Sequence, residues 1–355
     1  MAVPSYQATA VQFVTQVVDA PEDNERVVKT NLDRALDLVD YVFEDPRYAS
    51  KLLVFPEFFL TGVPESRRHE EYLARAMTIP GDVTAAFGER ARRYGAYIAG
   101  NAFERDEEWP DRVFNTSWIV GPGGEVVLRY RKLNDTQTYM PTSTNPGDIY
   151  SAYVERYGIQ ALFPVVDTEI GRLACLTCYD INFPEVARCL ALQGAEVLVM
   201  PTGEGYSFHR HHRLMKRARA YENTCYLVTA NHGGFVGRRP NAQQRGYSEV
   251  IDFHGDPVAC ADGPGEATIS GRVDLAALRD ARARVGDHNF LVALRASLYA
   301  PQYAAAEHWP LDHWAGAPLR DNAEALALGQ DVRESLYRSG VLVRPFTYGE
   351  ASGPV

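Results

Sequence analysis

The sequence has no apolar run approaching the roughly 20 residues that a membrane-spanning helix needs. Residues 1–18 lack the basic region and the long apolar stretch of a secretory signal peptide. The five cysteines are an odd number and form no secreted disulfide framework. Positive charge is also scarce, with 36 lysines and arginines against 46 acidic residues, which argues against a nucleic-acid or anionic-membrane partner. We therefore expect a cytoplasmic protein with reduced thiols.

Internal repeats, phosphate-binding glycine loops and metal-ligand clusters are missing from the sequence as well, so we expect no cofactor and no metal. What it does contain is an alternation of apolar strand-like runs and amphipathic helical stripes. This alternation predicts a layered α/β domain with two sheets. Strands are predicted at 8–15, 51–56, 96–103, 113–120, 125–132, 172–178, 196–200, 225–231, 248–253 and 268–274, and helices at 22–43, 82–94, 184–193 and 210–222.

The segment from Cys175 to Glu185 carries the strongest chemical signal. An apolar strand leads Cys178 into a polar turn, and a predicted helix begins at Pro184. Proline suits the first turn of a helix, where its missing N–H has no partner to lose. The positive end of a helix dipole and nearby cations lower the pKa of a thiol. Cys178 is therefore a candidate nucleophile, with a pKa expected below the ordinary cysteine value.

Two other segments supply groups that a thiol nucleophile needs. Glu57 follows an apolar strand and is flanked by aromatic residues, so we expect a half-buried carboxylate that can act as a general base. Lys132 falls on the same strand face as Leu128 and Tyr130. A lysine that faces a core is costly unless it meets a carboxylate or a developing anion. These residues predict a base and a cation for the same site.

The order Glu57, Lys132, Cys178 is carried on the motifs Phe-Pro-Glu, Tyr-Arg-Lys-Leu and Cys-Tyr-Asp-x-x-Phe-Pro-Glu, and it resembles the nitrilase superfamily of carbon–nitrogen hydrolases. The resemblance covers roughly residues 6–275. It implies a four-layer αββα sandwich and cysteine-dependent hydrolysis of a non-peptide C–N bond. It also implies a homodimer or a larger homo-oligomer, and the roles of base, oxyanion-stabilising cation and nucleophile for the three residues.

The resemblance also narrows the substrate. Tyr179-Asp180 after the cysteine resembles the amidase and N-carbamoylase branches, because nitrile-cleaving members more often carry Trp-Glu there. We expect an amide or N-carbamoyl hydrolase that forms a thioester and releases ammonia. A true nitrilase is the alternative within the family. A catalytically silent binding protein on the same scaffold is the alternative outside it, and the complete set of three residues argues against it.

Cysteine and histidine groupings allow two other interpretations. Cys175 and Cys178 form a Cys-x-x-Cys pair, which can mark a redox pair or half of a zinc site. However, no second pair follows at zinc-finger spacing, and strand residues three apart point to opposite faces. His209, His211 and His212 suggest a metal, but the neighbouring arginines and lysine would repel a cation. We interpret these histidines as a solvated helix start.

Substrate contacts are predicted from the resemblance at Tyr179, next to the nucleophile, and at Thr202 and Tyr206, after the strand 196–200. All three follow the ends of strands that are expected to border the pocket.

One departure from the family pattern concerns the lysine. Many members carry a second glutamate in the following loop, where it positions lysine and substrate, but residues 134–145 contain none. The acidic candidates are Asp135, Asp148 and Glu155, and Glu155 is our choice.

Two segments fall outside the alternation. Residues 134–158 are predicted to be a polar loop on the pocket rim, since long loops in compact domains are usually functional. Residues 276–355 are predicted to be an extension that follows a hydrolase domain at 1–275. Its tryptophans and tyrosines need a surface to cover, so we expect it to pack on the core or on a partner subunit. Together with helices 184–193 and 210–222, it would supply the subunit interface.

Overall fold

The computed structural model describes residues 5–18, 20–63, 68–136, 143–205, 209–237, 246–306 and 308–345. Within these ranges the strands form two six-stranded sheets and a two-stranded ribbon. The strands are β1 (Tyr6–Gln12), β2 (Val14–Gln16), β3 (Ser50–Val54), β4 (Tyr97–Asp106), β5 (Trp109–Val120), β6 (Val126–Arg131), β7 (Val165–Thr168), β8 (Gly171–Cys175), β9 (Val197–Pro201), β10 (Tyr226–Ala230), β11 (Gly234–Val236), β12 (Glu249–Ile251), β13 (Pro257–Cys260) and β14 (Ala267–Val273). The helices are α1 (Asn24–Glu44), α2 (His69–Arg75), α3 (Asp82–Tyr94), α4 (Tyr150–Tyr157), α5 (Pro184–Leu192), α6 (His209–Asn223), α7 (Leu275–Ala283), α8 (Phe290–Ala293), α9 (Ala296–Ala305) and α10 (Asn322–Arg338).

The large sheets face each other, and helices cover both outer faces, so the predicted four-layer αββα sandwich is confirmed. Alternation along β3 shows how the sequence builds two of the layers. Leu52 and Val54 pack between the sheets, whereas Leu53 points outward into the cluster formed with α1 and α3. On the opposite side, α5 and α6 cover the second sheet in the same way.

The strand directions bring several strand ends to one edge. The first sheet has the order β14-β1-β3-β4-β5-β6, and the second has the order β13-β12-β10-β9-β8-β7. In the first sheet β3 and β4 are parallel, β5 is antiparallel to β4, and β6 is antiparallel to β5, so β6 runs in the direction of β3. In the second sheet β8, β9 and β10 are parallel. Ligands of α/β folds commonly bind beyond the carboxyl ends of such strands.

The prediction of a polar loop at 134–158 is wrong for its second half. A 3₁₀ helix at Pro146–Ile149 leads into α4. Ile149 and Tyr153 are buried in a cluster with Phe114 of β5. The pattern was hard to recognise because α4 has only 8 residues and follows a run of turn-forming residues. Residues 137–142 lie outside the described residues.

The C-terminal extension folds as helices that contact the rest of the chain. α7 begins at Leu275, the last residue of the predicted domain, and buries Leu278 of the extension beside it in the core between the sheets. Further along, Leu319, Ala325 and Leu328 are buried. None of these helices appears in the sequence-based assignment, because most of them are short.

Apolar side chains stay exposed on α5, α6 and α9, for example Leu192, Leu214 and Leu298. The sequence predicts a subunit interface on this surface, and the homo-oligomer stays a prediction. Within the described residues, no helix combines the length and the apolar character needed to span a bilayer.

Candidate active site

Three predicted residues lie at strand ends on the edge described above. Glu57 follows β3, Lys132 comes directly after β6, and Cys178 is the first residue of a 3₁₀ helix, Cys178–Asn182, after β8. The end of β9 joins them, because the Glu57 amide donates to the carbonyl of Thr202 at 3.4 Å. Both sheets therefore contribute to one site.

A short ion pair joins Glu57 and Lys132, and both side chains are 1% exposed. Glu57 Oε1 accepts from Lys132 Nζ at 2.8 Å and from Asn115 Nδ2 at 2.7 Å. Glu57 Oε2 is buried and has no hydrogen-bond partner within the described residues. One carboxylate oxygen is thus fixed by two donors, and the other remains available to take a proton.

Asn115 is itself held in place, which explains how Glu57 keeps one orientation. Asn101 Nδ2 donates to Asn115 Oδ1 at 2.7 Å, and Asn101 Oδ1 accepts from the amide of Phe58 at 2.9 Å. Beside them, His232 Nε2 lies 2.6 Å from the carbonyl oxygen of Glu57, where it can only donate. Asn101, Asn115 and His232 are missing from the sequence prediction, because buried amides on strands and a buried imidazole in the loop after β10 carry no motif.

The second carboxylate at Lys132 is Asp135, not Glu155. Asp135 Oδ1 lies 2.9 Å from Lys132 Nζ, and Asp135 Oδ2 accepts a short hydrogen bond from Ser143 Oγ. Glu155 is exposed on α4, so our choice of Glu155 for this role is corrected. Asp135 is three residues from Lys132, where the chain turns sharply after β6, and a side chain shorter by one methylene reaches the ammonium from there.

Burial by itself lowers the pKa of Lys132, but the negative charges of Asp135 and Glu57 outweigh it, and the pKa lies well above its usual value. Lys132 is therefore a permanent cation at neutral pH. The effect on Asp135 is opposite: burial raises its pKa above the usual range despite the attraction of Lys132.

The expectation of a lowered pKa at Cys178 is wrong. Burial, followed by the negative charge of Glu57, raises the pKa of the Cys178 thiol above its ordinary value. Lys132 and hydrogen bonds from Thr202 and Gly203 act in the opposite direction but do not compensate. The thiol is therefore neutral at rest, and a base must remove its proton during attack.

Both loops that carry reactive groups contain a strained residue. Cys178 has a φ of 44°, and Phe58, next to Glu57, has a φ of 42°. Non-glycine residues seldom adopt such angles, and each costs on the order of 1–3 kcal/mol. Such strain persists only where the surroundings enforce it, and here it turns the two side chains toward the same space.

Asp180 connects the cysteine turn to the lysine strand. One of its oxygens accepts from the Tyr130 hydroxyl at 2.8 Å and from the amide of Thr177 at 3.0 Å. The other accepts from the amide and the side chain of Asn134, at 3.0 and 3.1 Å. Burial raises the pKa of Asp180 to about 6, although these donors and Lys132 lower it.

The predicted substrate contacts have different positions. Thr202 is buried, and its hydroxyl contacts both the Cys178 thiol and, at 3.3 Å, the carboxylate of Glu204. Tyr179 is half-buried, and its ring packs edge-to-face on Phe183. Tyr206 lies outside the described residues. Contact of these residues with substrate stays a prediction.

The other cysteine and histidine interpretations can now be compared with the structure. Cys175 is buried between the sheets, and burial raises its pKa, whereas Cys178 stands at the end of the sandwich. The interpretation of these histidines as a solvated helix start is wrong for His212. It is 2% exposed, its Nδ1 lies 3.5 Å from Glu204, and its Nε2 lies 3.3 Å from Asn182 Nδ2.

Taken together, the arrangement combines a neutral thiol, a permanent cation and a carboxylate, one oxygen of which has no hydrogen-bond partner in the part of the chain that the structure describes. The first amides of a 3₁₀ helix also lack partners within that helix, so the turn at Cys178 offers backbone donors. These groups can remove a proton from sulfur, stabilise an oxyanion and return the proton to a leaving group.

Comparison with known proteins agrees with this chemistry. Residues 10–283 match the family model described as carbon-nitrogen hydrolase. The chain is 30% identical to the deaminated glutathione amidase of Rattus norvegicus over 274 residues, which cover 76% of this chain and 78% of the relative. It is 28% identical to an omega-amidase of Xenopus laevis, with 79% of this chain and 92% of the relative covered. A formamidase of Bacillus cereus is 29% identical, over 66% of this chain and 64% of its own length.

Solved structures share the fold at lower identity. A carbon-nitrogen hydrolase from Helicobacter pylori superposes with a TM-score of 0.66 at 18% identity and covers 84% of this chain and 98% of its own. Nit3 of Saccharomyces cerevisiae, described as a member of branch 10 of the nitrilase superfamily, has a TM-score of 0.62 at 22% identity and covers 78% of this chain and 93% of its own.

Proposed function

The chain belongs to the carbon–nitrogen hydrolase family of the nitrilase superfamily, and on this premise we propose that it hydrolyses a primary amide through a Cys178 thioester. The products are ammonia and a carboxylic acid. Glu57 is the base, Lys132 is the oxyanion-stabilising cation, and Asp135 holds Lys132 in place.

One observation carries this proposal. Glu57 Oε1 is fixed by Lys132 and Asn115, while Glu57 Oε2 is buried without a hydrogen-bond partner among the described residues, and the charge of Glu57 acts on a Cys178 thiol of raised pKa. A purely structural salt bridge has no reason to leave a buried carboxylate oxygen unsatisfied, because that costs free energy. A base that must collect a proton from sulfur requires such an oxygen.

The first half of the reaction follows from the geometry. Glu57 takes the thiol proton as the sulfur of Cys178 attacks the amide carbon and the carbonyl π electrons move to oxygen. Lys132 and the backbone N–H of Tyr179 stabilise the oxyanion, and each such donor typically contributes about 3 kcal/mol. Glu57 then gives its proton to the amide nitrogen, and the C–N bond breaks. Ammonia leaves, and the acyl group remains on Cys178 as a thioester.

The second half restores the enzyme. Glu57 removes a proton from water as the water oxygen attacks the thioester carbon. The tetrahedral intermediate collapses, the C–S bond breaks, and the thiolate takes the proton back from Glu57. The net reaction consumes one amide and one water and produces one acid and one ammonia, with no external oxidant or reductant.

The choice of an amide is supported by the relatives, which are named as amidases or a formamidase. In a glutamate-to-glutamine mutant of the amidase of Nesterenkonia sp. AN1, which has the same fold at 21% identity, the acetamide moiety of fluoroacetamide is added covalently at the active-site cysteine, so the cysteine of that protein is nucleophilic. A neutral thiol activated only during attack also suits an uncharged substrate carbonyl.

The test is ammonia release by the purified full chain over a panel of primary amides, N-carbamoyl amino acids and nitriles. We expect Cys178→Ala to abolish turnover with an unchanged circular dichroism spectrum. Cys175→Ala is the matched control, and we expect it to keep most activity because Cys175 lies between the sheets. Mass spectrometry of wild type quenched with substrate should show an acyl adduct on the peptide containing Cys178.

Turnover by Cys178→Ala at the wild-type rate would contradict the proposal. Equal loss in both cysteine variants would instead favour a Cys-x-x-Cys redox role. Ammonia release from nitriles alone would identify a nitrilase.

A further inference from the structure

The C-terminal extension reaches the segment 143–151, which lies next to the active site. Its residues 311–315 form the contact, and they lie beyond the part of the chain that matches the family model, residues 10–283. Whatever this contact does is therefore a feature of this chain rather than of the family domain.

Asp312 supplies the missing cap of α4. The residue before this helix, Ile149, makes no side-chain cap. Instead, Asp312 Oδ1 accepts from the amide of Ser151 at 2.9 Å, and Oδ2 accepts from its hydroxyl at 2.6 Å. The amide of Asp312 also donates to the carbonyl of Gly147 at 2.9 Å. A negative charge and two acceptors at the first turn stabilise a helix.

Arg112 provides a second attachment. This side chain on β5 is buried, and its Nη2 donates to the carbonyls of Trp314 and Ala315, at 2.8 and 3.0 Å. Its neighbour Val113 accepts from the amide of Thr144 at 2.6 Å. The extension and the segment are thus bound to adjacent residues of the same strand.

The segment in turn holds the carboxylate that contacts Lys132. Ser143 donates to Asp135, and Asp135 lies 2.9 Å from Lys132. Between Ser143 and α4, the amide of Asn145 donates to Asp148 at 2.8 Å, and the amide of Asp148 donates back to the carbonyl of Asn145 at 2.9 Å. Displacement at α4 would therefore move Ser143, and with it Asp135.

We propose that Asp312 is a positioning residue that acts through the segment 143–151 on the Asp135–Lys132 pair, so that the C-terminal extension holds the active-site lysine in its reactive geometry. This role rests on the proposed function for its effect on catalysis, but not for its effect on the segment. Among the carboxylates that keep the pKa of Lys132 high, Asp135 has the largest effect. Loosening Asp135 should lower that pKa.

The main variant is Asp312→Gly. Asp312 has a φ of 60°, which glycine adopts without strain, so the change removes the carboxylate and keeps the backbone path. We expect kcat to fall about tenfold, KM to change less than twofold, and the alkaline limb of kcat to move to lower pH. Asp312→Asn keeps one acceptor and should restore most of the rate. The matched control is Asp287→Gly, at an exposed turn of the same extension, and it should leave the kinetics unchanged.

A double-mutant cycle separates positioning from a general loss of fold. If Asp312 acts through Asp135, adding Asp312→Gly to Asp135→Asn should cost little further rate, because the same interaction is already lost. Multiplicative losses, or an unmoved alkaline limb in Asp312→Gly, would overturn the proposal.

Hydrogen exchange of residues 143–151 tests, without any turnover, whether Asp312 holds this segment in place. If the wild type proves inactive on every amide, the proposed function fails. Faster exchange of residues 143–151 in Asp312→Gly would still support the role of Asp312 in holding this segment. Unchanged exchange would refute that role.

Discussion

Two lysines of this chain are buried, each between two carboxylates. Lys132 lies 2.8 Å from Glu57 and 2.9 Å from Asp135. Lys216, on α6, lies 3.1 Å from Glu204 and 3.7 Å from Glu249, and it is 0% exposed. By composition and burial the two clusters are nearly alike, so composition and burial cannot be what distinguishes a reactive site from a structural one.

The charge balance differs between them. Three carboxylates, those of Asp135, Glu57 and Asp180, act on Lys132, and within the described ranges it is the only cation that the three share. The second cluster holds more cations, because Arg213 and Arg217 lie 3.5 and 3.6 Å from Glu249 in addition to Lys216. The ring of His212 lies 3.5 Å from Glu204.

The protonation of the carboxylates follows this balance. Burial raises the pKa of Glu204, but Lys216 and His212 outweigh it, and the pKa falls to about 2. In the first cluster burial prevails, and the pKa values of Asp135 and Asp180 are raised. Excess negative charge therefore keeps protons within reach of neutral pH, whereas neutralised charge makes a cluster inert and stabilising.

The largest expected difference is between Lys132→Met and Lys216→Met. Lys132→Met should lower kcat/KM by about 10³-fold, since it removes an oxyanion donor and frees Glu57 Oε1. Lys216→Met should leave the rate per folded molecule within about tenfold. It should cost about 3–5 kcal/mol of unfolding free energy, because two buried carboxylates lose their lysine. Urea unfolding and ammonia release on the same preparations measure both quantities.

A folded Lys216→Met variant that lost activity as completely as Lys132→Met would contradict this distinction. That result would make the Glu204 cluster part of the catalytic apparatus, through Thr202, rather than a separate support.

The sequence predicted the reactive cluster better than its supports. Glu57, Lys132 and Cys178 each stand in a motif at the end of a strand, and the alternation of strands and helices predicted the layers that bring those ends together. Lys216 and Glu204 stand in no motif, since a buried ion pair between a helix and a strand end needs contacts that the linear pattern does not encode.

Two differences between sequence and structure have the same physical origin. The sequence favours Glu155 over Asp135 by residue type, although reach from the backbone decides which carboxylate meets the lysine. The sequence also predicts a lowered pKa for Cys178, because the helix and the lysine are visible in it. Burial and the charge of Glu57, which raise that pKa, depend on tertiary packing.

A pH series should separate the two clusters. Asp180 has a raised pKa of about 6, so its ionised form costs stability. Protonation below pH 6 relieves that cost, but the oxygen that takes the proton no longer accepts from both of its donors. Glu204 has a lowered pKa, so its contribution is present above about 4.5 and is lost as pH falls toward 2. We therefore expect activity to decline through about pH 6 with the fold intact, and stability to decline only below about pH 4.5.

Glu204→Gln sharpens this result, because it removes the titrating group of the second cluster. Its unfolding free energy should depend less on acid pH than that of the wild type, while the acid limb of kcat stays in place. A parallel loss of activity and secondary structure through pH 6 in the wild type would count against separate roles.

The smallest expected effect concerns one hydroxyl. Tyr130 and Tyr226 are both buried in the core between the sheets. The Tyr130 hydroxyl donates to Asp180, whereas the Tyr226 hydroxyl accepts from the amide of Asp274 at 3.1 Å. Tyr130→Phe and Tyr226→Phe remove the same atom from the same core, and each should cost about 1–2 kcal/mol of stability.

Only one of the two should change the chemistry. The hydrogen bond from Tyr130 lowers the pKa of Asp180, so its loss should raise that pKa and move the acid limb of kcat to higher pH by a few tenths of a unit. The maximal kcat should fall less than tenfold, because three donors still hold Asp180. Tyr226→Phe should leave the limb where it is in the wild type. If both variants moved the acid limb of kcat equally, the shift would reflect general loosening of the core. The acid limb could then not be assigned to Asp180.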